Sequence, residues 1–542
     1  MRKTMEENNR AGKTKYNMNN FNILPYVKKV NYTIQPIYKF SPYLEDADIF
    51  DVISTTRDIR GKVEYEPFQR ISLNKAEEML ADSFQKVLRE GEKGKIYLFK
   101  MPTALGKTET LIGTKATIAL PTNALKNEIA ERISNKNDDG LAPNKFVTTP
   151  DPVEFESEEI NAKMCNYYSA GLPGKSMELI YHISKYAKTG YYSYIDTILA
   201  RNYLDQFAKS LQSNDTILTT HNRALYTEFS NNILIFDEDP LSSLLEIRQL
   251  KISDLFVLNQ AVNDLEVSNL IDYLKKATPH KIEQTPLFDI NLNQLIDRVS
   301  KIKSPSNIFE FFDSSFYMRD GANEEDKNPQ KLDIIHYIKR KELPKDKVVI
   351  IMSATIPIPI YEILFGDRIV VYDIKDVQQQ GKVIQYTKKS CSRMGLQRYG
   401  KQISKEVGNQ PVITFKSMAD IFKKPVDKVW FGNCSGYDQL KGKDIAVVGT
   451  PHRNPLEYLL YAKALNIDLK TSDTAMSHKK IEYNGFKFMM NCYDNERLRA
   501  IQLSLIESDL VQAVGRARTL RTDATVKVYS NFPLRISDDF IF

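Results

Sequence analysis

The sequence predicts an α/β protein: two domains built on parallel sheets, with a mostly helical insertion in the first. Three observations lead there. Short apolar runs recur along the chain, each stopping in a polar or turn cluster and alternating with helix-spaced segments, as strands buried on both faces of a sheet do. These runs fall in two series, separated by a Leu-, Asn- and Lys-rich stretch whose apolar residues are spaced as in helices. The chain has 542 residues, room for three or four units at roughly 150 residues each. The boundaries read as a tail and accessory element over 1–64, a first α/β segment over 65–240, the insertion over 241–345, a strand returning to the first sheet over 346–356, and a second α/β domain over 357–542.

Composition removes several classes. Hydrophobic residues at 42% and charged residues at 27% are those of an ordinary globular protein. A balance of 75 basic against 69 acidic side chains, net +6, permits a nucleic-acid partner without arguing for one. Cys165, Cys391, Cys434 and Cys492 are far apart with no C-x-x-C pair, which argues against a disulfide scaffold and against a compact zinc or iron–sulfur site. They read as free thiols in a reducing cytosol. No apolar run approaches the roughly 18 residues of a membrane span, and the start lacks an apolar signal core, so a cytoplasmic protein without membrane contact is expected.

Taken in order, the first twenty or so residues are polar and aperiodic, the signature of a disordered tail. Gly12-Lys13-Thr14 matches the end of a phosphate-loop fingerprint, but no strand precedes it and it is set aside. Phe21 to Tyr65 carries no recognisable motif. After Tyr65-Glu-Pro-Phe-Gln69, the residues Ala76, Met79, Leu80, Phe84 and Leu88 recur at three- and four-residue steps, which predicts one amphipathic helix.

That helix leads into IYLFKMPTALGKTET from Ile96, an apolar strand running into a tight turn that ends Gly106-Lys107-Thr108. Such a turn delivers the chain to a helix start, whose free N–H groups and positive dipole end face phosphates. Thr103 and Gly106 would lie along the nucleotide, Lys107 would reach the β- and γ-phosphates, and the Thr108 hydroxyl would ligate Mg²⁺. The full fingerprint G-x-x-x-x-G-K-[ST] fails at its first glycine, where Met101 stands. Ala104 and Leu105 make the loop less permissive than glycine would.

Further runs follow: Thr117-IALPTN, Lys145-FVTTP, Thr216-ILTTHN and Asn232-ILIFDEDP. In parallel sheets ligands sit at the carboxyl ends of the strands, so the chemistry belongs where these runs stop. Asp237 and Glu238, adjacent at the end of a hydrophobic strand, are costly to bury without a cation. Asp237 can hold Mg²⁺ and Glu238 can take a proton from a water attacking the γ-phosphate; a plain strand exit is the alternative. Between Leu241 and Lys345, Leu255, Phe256, Leu258, Leu265, Leu270, Ile271 and Leu274 are spaced for a small helical core, and the charged loop GANEEDKNPQ follows. The strand Val348-VIIMSATIPIP then ends in Ser353-Ala354-Thr355, which by itself reads as a turn. A second sheet is expected from Arg368-IVVYDI, Gln410-PVITFKS, Lys428-VWFGN, Asp444-IAVVGTP and Thr525-VKVYSN. Near its close stands Ser508-DLVQAVGRARTLR, with Gln512, Arg516 and Arg518 on a helix and Arg521 beyond. Such arginines are usually solvated, but arginine also neutralises charge on a transferring phosphoryl group.

The order phosphate loop, Asp-Glu-Asp-Pro, Ser-Ala-Thr, then Q-x-x-G-R-x-R resembles motifs I, II, III and VI of superfamily-two helicases and translocases. Pro121-Thr-Asn resembles motif Ia, Gln69 the adenine-reading glutamine upstream of motif I, and Phe431 to Pro451, with Gly436-Tyr-Asp438, motif V. The layout, with an insertion between motifs II and III and THNRAL before motif II, is similar to the iron–sulfur repair helicases. Only Cys165 stands where their cluster cysteines belong, so a cluster-free relative of phage or plasmid origin is implied. The resemblance implies two RecA-like domains binding ATP between them. Lys107 and Thr108 would act on phosphate and Mg²⁺, Asp237 on Mg²⁺, Glu238 as base, and Gln69 and Asp438 on the nucleotide. Gln512, Arg516 and Arg518 would come across the cleft, and GRAR in place of the commoner GRxGR leaves open which arginine is the finger.

An ATP-driven helicase or translocase in replication, repair or recombination is the first function implied, with single-stranded or fork DNA as polymer and replication or repair proteins as further partners. An RNA-directed or protein-remodelling ATPase, and a non-hydrolysing nucleic-acid-binding protein on the same fold, stay open beside it. The insertion would shape a strand's path, with a structural lobe or docking arm as alternatives.

Overall fold

The computed structural model describes residues 63–138, 145–185, 192–286, 288, 292–321, 333–434 and 438–542. Most of the tail and accessory element, the Gly12-Lys13-Thr14 tripeptide, all of the GANEEDKNPQ loop after Gly321, and Gly436 and Tyr437 lie outside the described residues. Parallel strands interleaved with helices make this an α/β chain, as the alternation of runs predicts. The described residues gather into two compact units, 112–235 with 240–343, and 63–111 with 236–239 and 344–542.

The second of these units carries the phosphate-loop strand. The helix before it, Leu73–Glu90, opens at Ser72, whose hydroxyl accepts the Lys75 N–H at 3.3 Å, a side-chain cap on an otherwise unpaired donor. It buries Ala76, Leu80, Phe84 and Val87. The expected stripe is therefore turned slightly: Met79 is 39% exposed, and Val87 rather than Leu88 closes the buried face. Phe84 packs edge-on against Phe99 of the Ile96–Lys100 strand, ring centres 6.1 Å apart.

Ile96–Lys100 pairs in parallel with Val348–Ser353 on one side and Ile369–Asp373 on the other. The second pairing corrects the sequence reading, which assigned Ile369–Asp373 to the second sheet. The helix Ile358–Phe365 and the turn Gly366–Arg368 give the chain the crossover that a parallel neighbour requires. The second sheet has five parallel strands in the order Val412–Ile413, Ile445–Val448, Thr525–Tyr529, Lys382–Tyr386, Asp539–Ile541. The Lys428-VWFGN run is not one of its strands. It is irregular chain with one isolated bridge, Trp430 to Asn433, although Val429 is buried. A three-stranded antiparallel sheet pairs Glu64–Tyr65 with the hairpin Phe486–Tyr493 and Met476–Tyr483. Its turn residues Asn484 and Gly485 have φ of 51° and 80°, the left-handed pair that suits twisted antiparallel strands.

In the other unit Thr117–Leu120, Thr216–Thr220 and Phe146–Thr148 pair in parallel, in that order. The insertion contains helices Ile252–Val262, Leu265–Lys276 and Leu292–Val299, and also a four-stranded antiparallel sheet that helical spacing did not disclose. Its strands run Leu245–Lys251, Ile334–Arg340, Phe316–Arg319, Ile282–Gln284. Leu255, Leu258, Leu270, Ile271 and Leu274 form its core as expected, but Phe256 and Leu265 are 43% and 72% exposed. Ala170 and Leu172, upstream of the insertion, complete that core, so the lobe is not closed within 241–345.

Phe84→Ala should lower the stability of its unit by about 3 kcal/mol or more, the cost of a ring-sized cavity in a packed core. Met79→Ala, on the exposed side of the same helix, should stay within about 0.5 kcal/mol. Urea midpoints of the two variants, compared at equal m-value, check the assignment of the buried face.

Candidate functional site

Within the second unit, three strand ends meet. Ile96–Lys100 passes into the loop 101–106, where Ala104 and Gly106 have φ of 68° and 105°. Glycine adopts such angles freely, whereas at alanine they cost about 1–2 kcal/mol. Lys107 opens a helix of only five residues, Lys107–Leu111, with Thr108 half-buried beside it. So short a helix contributes little dipole, and the expected anion site rests more on Lys107 than on the helix end.

The Lys107 ammonium lies 2.9 Å from Asp237 Oδ1 and 2.5 Å from Glu238 Oε1, across 131 positions of sequence in the second case. The three side chains are 17%, 4% and 34% exposed. Glu238 stands just past the Ile233–Asp237 strand with φ of 74°, and its N–H donates to the Met352 carbonyl at 3.0 Å. Ser353 Oγ donates to Glu238 Oε2 at 2.8 Å and lies 3.1 Å from Thr355 Oγ1. The Ser-Ala-Thr turn is thus more than a chain reversal: its first hydroxyl orients the glutamate. Serine at the end of a strand neighbouring the phosphate-loop strand was the available signal.

Burial is the largest influence on all three charges. For Lys107 it opposes the ammonium, yet the two carboxylates outweigh it and hold the amine above the ordinary lysine range. For Glu238 it opposes ionisation, but Lys107, the Ser353 hydroxyl and Arg516 together hold the carboxyl below its usual range. For Asp237 burial wins, and neighbouring Glu238 adds to it, so this carboxyl sits above its usual range. One cation between two carboxylates leaves a site short of positive charge. Among the described residues no group of three or more His, Cys, Asp or Glu stands together as a metal cage. An Asp237 carboxylate and a Thr108 hydroxyl are hard oxygen donors, and they suit Mg²⁺, which takes one or two protein oxygens plus phosphates and waters.

The helix Glu496–Val514 and the turn Gly515–Ala517 bring the remaining candidates. Arg516 Nε donates to the Gln512 carbonyl at 3.3 Å, and its charge is felt at Glu238. Arg518, φ 57°, pairs with Asp438 Oδ1 at 2.6 Å, joining two candidates to each other. A Cβ on Gly515 would lie 2.6 Å from Thr103 Cγ2, so this turn presses on the phosphate loop and needs glycine there. Gln69 is exposed, between Phe68, which carries the Arg535 guanidinium 3.6 Å over its ring, and Arg70, paired with Asp538 at 2.6 Å. A cavity of about 350 Å³ opens beside Thr103 and Gly515, lined by Lys100, Glu507, Gln379 and Arg535 among others; neither Gln69 nor Lys107 lines it.

No protein-family model matches the chain, and no curated protein matches it. Among solved structures, the DUF1998 helicase MrfA bound to DNA and AMPPNP is similar at TM-score 0.30 and 11% identity, over 90% of this chain and 55% of that one. S. cerevisiae Dbp5 bound to Nup159, Gle1, IP6 and ADP is similar at TM-score 0.24 and 10% identity, over 84% of this chain and 87% of that one. The chain thus spans about half the length of the MrfA chain.

Lys107→Met should destabilise the nucleotide-free protein by about 3 kcal/mol or more, because two carboxylates lose their buried cation. Adding Asp237→Asn to Lys107→Met should recover part of that loss. Denaturation of both variants without Mg²⁺ checks the ion cluster; equal effects of the two would speak against it.

Proposed function

We propose that this chain is a Mg²⁺-dependent ATPase driven by nucleic acid, a helicase or translocase on two RecA-like domains with DNA as its polymer. One observation carries the reading: Lys107, the adjacent pair Asp237 and Glu238, and Ser353, from three separate stretches of chain, converge with 2.5–2.9 Å contacts. That is the complement of groups that hydrolysis of a phosphoanhydride requires, a cation for the phosphates and an oriented base for water.

In this reading Lys107 carries its charge to the β- and γ-phosphates. Glu238, aimed by Ser353, accepts a proton from the attacking water as the water oxygen bonds to the γ-phosphorus and the bridge to the β-phosphate breaks. Mg²⁺ held by Asp237 and Thr108 would neutralise phosphate charge. Arg516, already within electrostatic reach of Glu238, and Arg518 supply the cations that balance charge on the transferring group. Gln512 sits beside Arg516 and holds it through its carbonyl. Backbone gripping by such motors is common to both nucleic acids, so DNA is assigned from the resemblance in motif layout.

The test is steady-state ATP hydrolysis with no polymer, single-stranded DNA, duplex DNA and RNA side by side. Turnover should require Mg²⁺ and rise with DNA. Glu238→Gln should still bind ATP while hydrolysing it about a hundredfold or more slowly. Arg516→Ala or Arg518→Ala should lower the maximal rate by up to about 10³ with little change in nucleotide affinity. Wild-type rates in Glu238→Gln, or stimulation by RNA alone, would overturn the catalytic and the polymer assignments respectively.

A further inference from the structure

Arg521 lies outside the Q-x-x-G-R-x-R segment, yet it reaches the phosphate loop. Its backbone N–H donates to the Arg518 carbonyl at 2.9 Å, which fixes it one turn beyond that residue. Its Nε donates to the Ala104 carbonyl at 2.6 Å, and a terminal nitrogen pairs with the Glu77 carboxylate on the Leu73–Glu90 helix. That nitrogen stands 3.7 Å from where a Cβ on Gly106 would be, so the guanidinium lies across the face of the loop from Ala104 to Gly106.

Ala104, a residue with a side chain, stands in the loop at a left-handed φ of 68°. A side-chain-bearing residue leaves that conformation readily unless something outside holds it. A planar guanidinium bonded to the loop carbonyl with one nitrogen and to a carboxylate with another fixes both position and orientation, which a lysine could not do. Resting on the nucleotide reading above, we infer that Arg521 is a positioning residue: with Glu77 it clasps the Ala104 carbonyl and holds the phosphate loop at the left-handed angle that an alanine disfavours. Arg516 and Arg518 belong to the reacting end; Arg521 acts through the loop.

Arg521 and Glu77 side chains are 42% and 39% exposed, so their substitution leaves the core untouched. Arg521→Ala should raise the KM for ATP about tenfold while the rate at saturating ATP changes less than about threefold, and Glu77→Gln should move KM the same way. Arg521→Lys should behave like Arg521→Ala. Ala104→Gly placed in Arg521→Ala should bring KM back, since glycine adopts the left-handed angle without strain. A fall of a hundredfold or more in the saturated rate with unchanged KM would make Arg521 a catalytic arginine and overturn the inference, as would failure of Ala104→Gly to rescue. Amide exchange over 101–107 in the nucleotide-free protein separates this inference from the ATPase reading. Faster exchange in Arg521→Ala supports the clasp even if wild-type protein binds no ATP, and unchanged exchange overturns it whatever ATP does.

Discussion

The ammonium of Lys107 between Asp237 and Glu238 is the contact around which the second unit is arranged. Removing three charges from water costs several kcal/mol per ion unless each finds its partner in good geometry. The partners come from different stretches of chain, so the loop, the Asp-Glu exit and the Ser353 turn must end at the same height. Parallel pairing sets that height: Ser353 stands in register with Lys100, and the N–H of Glu238 meets the carbonyl of Met352. A one-residue slip would turn Ser353 from Glu238 and cost the carboxylate its hydroxyl donor, since successive side chains face opposite sides.

Backbone strain accumulates at the same place. Asn263, Asn466, Asn484 and Asp376 adopt left-handed angles with side chains that tolerate them, whereas Ala104, Glu238 and Arg518 do so with side chains that do not. Cys391 and Lys428 share the conformation elsewhere in the unit. At Glu238 the angle aims the carboxylate toward Lys107 and Ser353; at Arg518 it turns the side chain to Asp438. In each case a charged contact outweighs the local preference.

What could be read in the sequence follows from how local each signal is. The strands at Ile96, Thr117, Thr216, Ile233 and Val348 were legible because each carries a short apolar run that stops in a polar residue or turn, as a strand buried on both faces does. Sheet membership was not: Ile369–Asp373 has the same composition whichever sheet it joins, and only the crossover length decides. Lys428-VWFGN has strand composition, but its backbone bonds are scattered, Phe431 N–H to the Thr414 carbonyl among them, and form no continuous ladder, so burial alone did not make it a strand. The Asn484-Gly485 hairpin carried its signal, a two-residue turn between half-apolar runs, and the helix-rich neighbourhood masked it. In the site, residue types gave Lys107, Asp237 and Glu238, while Ser353 and Glu77 depend on contacts over 115 and 444 positions that no spacing rule reaches.

That distance also explains how the chain accommodates a lobe in the middle of its site. Residues 240–343 depart just after Asp239 and the chain returns at Val348, so Glu238 and Ser353 are separated by a whole folded segment and remain 2.8 Å apart. Loop-closure entropy rises only with the logarithm of length, about 0.6 kcal/mol for each doubling, so a long excursion between two packed strands costs little more than a short one. An aromatic core around Phe309, Phe311, Tyr317 and Tyr337, completed by Ala170 and Leu172, packs the segment, and the antiparallel pairing of Leu245–Lys251 with Ile334–Arg340 brings its entry and exit side by side. Leu245 pairs with Arg340 at the end of that ladder. An insertion so rooted leaves the register of Val348–Ser353 on Ile96–Lys100, and with it the Ser353–Glu238 bond, independent of the number of residues between them.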